Sequence, residues 1–339
     1  MSKVDDKQAR LLSHVDELVE KLRTMMPKAI KEGDESAIHH ARVATRRLKA
    51  ALDVFKPISS KSHRKEFTNV LSKLRRNLGP ARDLDVMLGH LKQLDPKKLQ
   101  PGVGWLIDQL SQKRQVSKQV ASEEIDIPKM MSRMGAWWGV RQEWVEVGAE
   151  GLGCLIGESL HLQLDEFIQH ADAIAGRAGA NTDAAMLDPH QLRIAGKALR
   201  YTLEMAIAGG HRLSAGVARS FKRMQDALGL WHDYVVLTDC ALKLSLKTAI
   251  SHHDALVQRS VLDVAKAVIV KSQRELTAFG KLWNEKGEVL ATTIRQAFPL
   301  TMPVETDTVT ESKTDPDPPG SEPSVEQPAT PAGNAPSAA

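Results

Sequence analysis

Aromatic residues make up only 4% of the 339-residue chain, and cysteine is nearly missing. Cys154 and Cys240 stand far apart, with no partner cysteine or histidine at ligand spacing, which argues against a disulfide framework or a zinc ribbon. No stretch approaches the roughly 18 uninterrupted apolar residues of a membrane helix, and the opening MSKVDDKQAR lacks the apolar core of a signal peptide. Sustained two-residue alternation is also missing, so nothing reads as a half-buried strand. A soluble, cytoplasmic protein with reduced thiols is expected.

What is present is a body of two-domain size with an uneven charge. The formal net charge is +4, yet residues 301–339 hold seven acids against Lys313 alone, a balance of −6 that leaves +10 on residues 1–300. The same stretch carries eight of the sixteen prolines and almost nothing to bury, so it reads as a disordered, acidic, Pro-rich tail. The basic body calls for an anionic partner.

Segments such as LLSHVDELVEKLRTMM and SVLDVAKAVIVKSQRELTAF place apolar residues three and four apart, the spacing of amphipathic helices. Breaks are expected at Glu32-Gly33-Asp34, Lys56-Pro57, Gly79-Pro80, Asp95-Pro96 and Pro101-Gly102. The fold class is therefore all-α, built as helical bundles. A looser stretch from Ala171 to Asp188 reads as a connection between two halves.

The halves are related by an internal repeat. IHHARVATRRLK supplies His39, Arg42, Arg46 and Lys49, and PHQLRIAGKALR supplies His190, Arg193, Lys197 and Arg200, each displaced by 151 residues. RRNLGPARDLDV and QDALGLWHDYVV then align Gly79 with Gly229, Arg82 with His232 and Asp83 with Asp233, displaced by 150. Two four-helix-type bundles, 5–170 and 186–300, within one domain of residues 1–300, are the expected result of duplication.

At about 100° per residue, the four bases of each motif fall on one stripe about 15 Å long, with leucines behind them. A charged stripe can simply face water. Two cations about 6 Å apart, however, repel by about 3 kcal/mol at an effective dielectric near 20, and surface helices usually relieve this with acids. The first stripe has no acid within it, whereas Glu204 joins the second and can pair with Arg200. Arg75, Arg76 and Arg82, and in the second half Lys222, Arg223 and His232, form a further basic cluster around each Leu-Gly turn. There Gly79 suits a helix C-cap, Pro80 the next helix's first position, and Asp83 its first turn. Anion binding by these side chains is the stronger reading.

At these motifs the sequence resembles the CHAD family, the conserved-histidine α-helical domain. The resemblance spans roughly residues 5–300 and rests on IHHARVATRRLK, NLGPARDLDV, PHQLRIAGKALRYTLE and MQDALGLWHDYVV in order. It implies two four-helix bundles packed around a basic pore or groove, binding of inorganic polyphosphate, and association with polyphosphate granules; with no nucleophile or metal constellation in the sequence, binding without catalysis is expected. The residues it assigns are His39, Arg42, Arg46, Arg47 and Lys49 in the first half and His190, Arg193, Lys197, Arg200 and Tyr201 in the second.

Other chemistries fit less well. His39-His40 and His252-His253 are adjacent pairs that cannot share one helical face, and arginines around His39 and His190 would repel a metal ion, so neither a metal nor any other cofactor is expected. A metal-dependent phosphohydrolase would need carboxylates, and the repeated Asp83 and Asp233 suit helix capping or pairing with arginine better. Nucleic acid is the rival partner, but no aromatic ladder interleaves with the bases as single-strand stacking requires. Trp137, Trp138 and Trp144, with Met130, Met131 and Met134, read as core.

Overall fold

The three- and four-residue spacing of LLSHVDELVEKLRTMM becomes helix α1 (Lys3–Lys31), which buries Leu11, Val15, Leu18, Leu22 and Met26 along one stripe. The structure, a computed structural model, describes residues 3–94, 99–177, 187–250 and 255–299. The tail 301–339, residues 178–186 of the expected connection, the Asp95-Pro96 break and the pair His252-His253 lie outside the described residues.

Among the described residues the regular elements are all helical. Helix α2 (Glu35–Val54) starts where the Asp34 carboxylate accepts the Ala37 N–H at 2.7 Å, an N-cap that satisfies one orphan donor. Helices α3 (Lys61–Lys92) and α4 (Gly102–Glu124) follow, then a short α5 (Ile127–Arg133) capped by Asp126, and α6 (Trp137–Ile174). Helix α7 (Pro189–Ala208) combines an Asp188 cap with proline in its first turn, where no N–H is needed. Two long helices, α8 (Ala215–Ile250) and α9 (Ala255–Ala297), complete the body. None of the described helices is long and apolar enough to cross a membrane.

One expected break is not a break. Gly79-Pro80 lies inside α3, which continues to Lys92, so Gly79 is no C-cap and Asp83 opens no helix. Pro80 removes one backbone donor, and carbonyls near a proline turn outward to find others. The neighbouring Arg75 carbonyl accepts from Arg42 Nη1 at 3.1 Å, which offsets part of that loss.

The repeat reappears as a packing pattern. Helix α1 packs on α2 as α6 packs on α7, and α3 packs on α4 as α8 packs on α9. Helix α6 also touches α1 and α9, and a kink at Gly148, whose φ of 79° suits glycine, bends it partway along.

Residues Met1–Thr301 form one compact unit, and the halves share its cores. The larger core draws on α1, α2, α6, α7 and the near ends of α3, α8 and α9. The smaller one joins Leu84, Leu88 and Leu91 of α3 and Leu106 and Leu110 of α4 to Leu237 of α8 and Val264 and Val268 of α9. Trp144 is fully buried, 4.5 Å from Phe55 and 5.2 Å from Trp137, and its indole donates to Ser59 Oγ at 2.8 Å. Met130 and Met134 are buried and Met131 packs against the core. Trp138 is a correction: the residue is 64% exposed, with the Arg141 guanidinium 5.9 Å from its ring.

Candidate anion-binding site

Helices α2 and α7 carry the two basic stripes, and α3 and α8 bring the helical LGPARD and LGLWHD segments beside them. Between these four helices lies a cavity of about 160 Å³. Arg42 and Arg46 reach it from the first half, and Arg193 and His232 from the second. Asp83 and Asp233 also line it, and Val86, Met87 and Val236 supply an apolar wall.

Arg42 is nearly buried, with its guanidinium donating to the Arg75 carbonyl and lying 3.5 Å from Asp83. Gly79 makes this seat possible, because a side-chain carbon there would stand 2.9 Å from Arg42 Nη1. Arg193, its repeat counterpart, has a buried Nε without a hydrogen-bond partner, as does Arg75. Burial lowers the pKa of both Arg42 and Arg193, with Asp83 and Asp233 opposing it.

Lys197 is pushed down to about 7, by burial first and then by Arg193 and Arg46. Burial and Arg193 push His232 down to about 4, with its ring 5.4 Å from that of His190. His39 is also lowered, by burial and then by Arg82 and its neighbours His40 and Arg46. Burial is the first cause of every one of these shifts, and neighbouring cations add to it. Such a site recovers that cost when an anion enters.

A model of the CHAD domain family matches residues 13–242. The chain belongs to the CHAD domain family. Among solved structures, the CHAD domain from the plant Ricinus communis aligns at a TM-score of 0.55 and 20% identity, covering 87% of this chain and 92% of that one. PptA from Streptomyces chartreusis aligns at 0.50 and 14% identity, covering 82% and 99%. Both likenesses establish the fold. No curated protein matches.

Within this CHAD domain the other candidate residues scatter. Arg47 and Arg200 both grip Glu204, at 2.7 and 2.9 Å, which ties α2 to α7; the Glu204–Arg200 pair has the expected spacing, while Arg47 joins it from the other helix. Lys49 pairs with Asp53, and Arg82 lies 3.5 Å from Glu35. Asp53 and Glu35 both fall on the first stripe's own face, one turn beyond each end, so that stripe is flanked by acids rather than free of them. Tyr201 is half-buried on α7 and does not line the cavity. Arg76 is exposed on α3. Lys222 pairs with Asp226 at 2.5 Å, and Arg223, half a turn away from His232 around α8, faces a different groove. These two do not join the cavity.

His90 was not singled out from the sequence. Its Nε2 lies 3.6 Å from Asp233 and its ring 4.9 Å from Tyr234, so α3 of the first half supports a cavity carboxylate of the second. It sits seven residues after Asp83, two turns along one face, and that spacing was the available signal. Its repeat position holds Cys240, which hid it from a search for repeated bases.

Proposed function

We propose that this CHAD domain binds inorganic polyphosphate in the cavity between its repeats, without altering it chemically. The observation that carries the reading is the convergence of Arg42, Arg46 and Arg193 from both halves, with the Arg193 Nε buried and unpartnered. A buried donor with nothing to bond costs roughly 1–3 kcal/mol, which a phosphate oxygen would return. Guanidinium groups fork onto phosphate oxygens, and Lys197 adds a point charge when protonated. Asp83, 3.5 Å from the Arg42 guanidinium, helps to hold that arginine in place. Cytoplasmic residence is the reading of the two unclustered cysteines, and recruitment to polyphosphate granules follows from the family resemblance.

The test is a pair of titrations across a salt series, one with long-chain polyphosphate and one with duplex DNA. Polyphosphate should bind more tightly at physiological salt, and Arg193→Gln should weaken it. Comparable affinities for both polymers would make the body a general phosphate binder. Release of orthophosphate above a boiled control, with or without magnesium, would replace binding by hydrolysis.

A further inference from the structure

Arg223, expected at the shared cavity, instead borders a groove of about 600 Å³ between the start of α8 and the far part of α9. Arg219 and Lys286 border it too, together with the hydroxyls of Ser214 and Ser220, and no carboxylate lines it. None of the three cations makes an ion pair among the described residues. Elsewhere on these two helices Lys222, Lys243 and Lys266 each take an acid one turn away. Lys286 is flanked by Glu285 and Glu288 in sequence and pairs with neither.

Arg219 and Arg223 are one helical turn apart, a like-charge spacing that costs helix stability rather than adding to it. Three unpaired cations around an acid-free concavity form an anion site by the same reasoning as the cavity, here open to solvent. It is separate from the cavity: Arg223 precedes His232 by nine residues, about 14 Å along α8 and on its opposite side.

We infer that the groove of Arg219, Arg223 and Lys286 is a second phosphate-binding site, which takes a distant part of the same polyphosphate chain that occupies the cavity. The same-chain part of this inference rests on the function proposed above; the groove's affinity for condensed phosphate does not. A chain long enough to reach both gains from the second contact as an intramolecular event, and a short oligophosphate does not.

Four full-length proteins test it: wild type, a cavity variant (R42Q, R46Q, R193Q), a groove variant (R219Q, R223Q, K286Q) and their combination. Each is titrated with tripolyphosphate and with long-chain polyphosphate across a salt series, with circular dichroism as a folding check. The groove variant should lose affinity for the long chain and lower its log–log salt slope by about two to three. Its tripolyphosphate affinity should stay within about twofold of wild type, a difference of ~0.4 kcal/mol. The cavity variant should keep weak long-chain binding that the combination abolishes. Unchanged long-chain affinity and salt slope on mutating the groove, in both the wild-type and cavity-variant backgrounds, would overturn the second site. A cavity variant that binds as wild type while the groove variant does not would leave the groove standing and overturn the cavity reading instead.

Discussion

Lys197 should make polyphosphate binding depend on pH in a range where ligand and arginines hold their charges. Its ammonium has been lowered from 10.5 to about 7 by burial and by Arg193 and Arg46. At pH 7 about half of the empty sites carry that proton, and at pH 9 about one in a hundred. A bound phosphate favours the charged form and raises the pKa again, so binding takes up a proton. If the ligand holds Lys197 charged throughout, affinity falls by up to about fiftyfold between pH 7 and 9, ~2 kcal/mol. His232, near 4, stays neutral across this window, and His39, already below its ordinary value, does the same. Calorimetric titration at constant ionic strength in buffers of different ionisation enthalpy reads both the affinity and the proton uptake, which should be about half a proton at pH 7. Lys197→Met should flatten the profile, and Lys197→Arg should flatten it while keeping the affinity of the acidic limb. A flat wild-type profile, or a slope that survives in Lys197→Met, would refute the reasoning.

The same shift bears on folding: the unfolded chain holds the Lys197 proton up to about pH 10.5 and the folded one releases it near 7, so the unfolded state binds more protons between them. Stability should therefore rise with pH above 7 in denaturant melts, and less steeply in Lys197→Met. Gly79→Ala should push the Arg42 guanidinium from its seat and weaken polyphosphate binding with little change in melting temperature, because only a side-chain tip must move. Gly229→Ala, with nothing within 4 Å, should leave binding intact and stabilise α8 by up to ~1 kcal/mol. Leu237→Ala, which empties a fully buried position in the smaller core, should cost about 2–5 kcal/mol while chemical unfolding stays a single transition. Two separated transitions would mean that the halves unfold alone. Glu204→Gln should lower stability by less than about 1 kcal/mol per ion pair and spare the cavity; a large loss of polyphosphate affinity would place Arg47 and Arg200 in the binding site.

The helical class was legible because apolar residues three and four apart have one stable solution, and the duplication because bases recur at offsets of 150 and 151. Arg42 and Arg46 were read from a stripe without internal acids, Arg193 from its repeat, and His232 from the basic cluster at the second Leu-Gly motif. What escaped was set by contacts between elements. Pro80 reads as a helix start until the Arg42 side chain is seen to meet the carbonyl beside the one it orphans. Lys222 and Arg223 share the residue class of Arg75 and Arg76, but α8 turns them away from the cavity. Trp138 adjoins Trp137, and 100° of rotation is enough to move it from core to solvent. Glu204 was seen to meet Arg200 along one helix, whereas its bond to Arg47 crosses between helices that the sequence does not place side by side.

The smaller core has a consequence for how such a chain can have arisen. Leu88 and Leu106 come from one repeat and Leu237 and Val264 from the other, so a single repeat would expose half of that core to water. A chain of half this length would close that core by pairing with its own copy, and the present chain has the arrangement that fusing such a pair would leave. Fusion frees the two copies from having to match. The arginine anchored on a carbonyl in one half and left unpartnered in the other, and the histidine of one replaced by cysteine in its twin, are changes that a symmetric pair, altered at both sites by every mutation, would have had to accept twice.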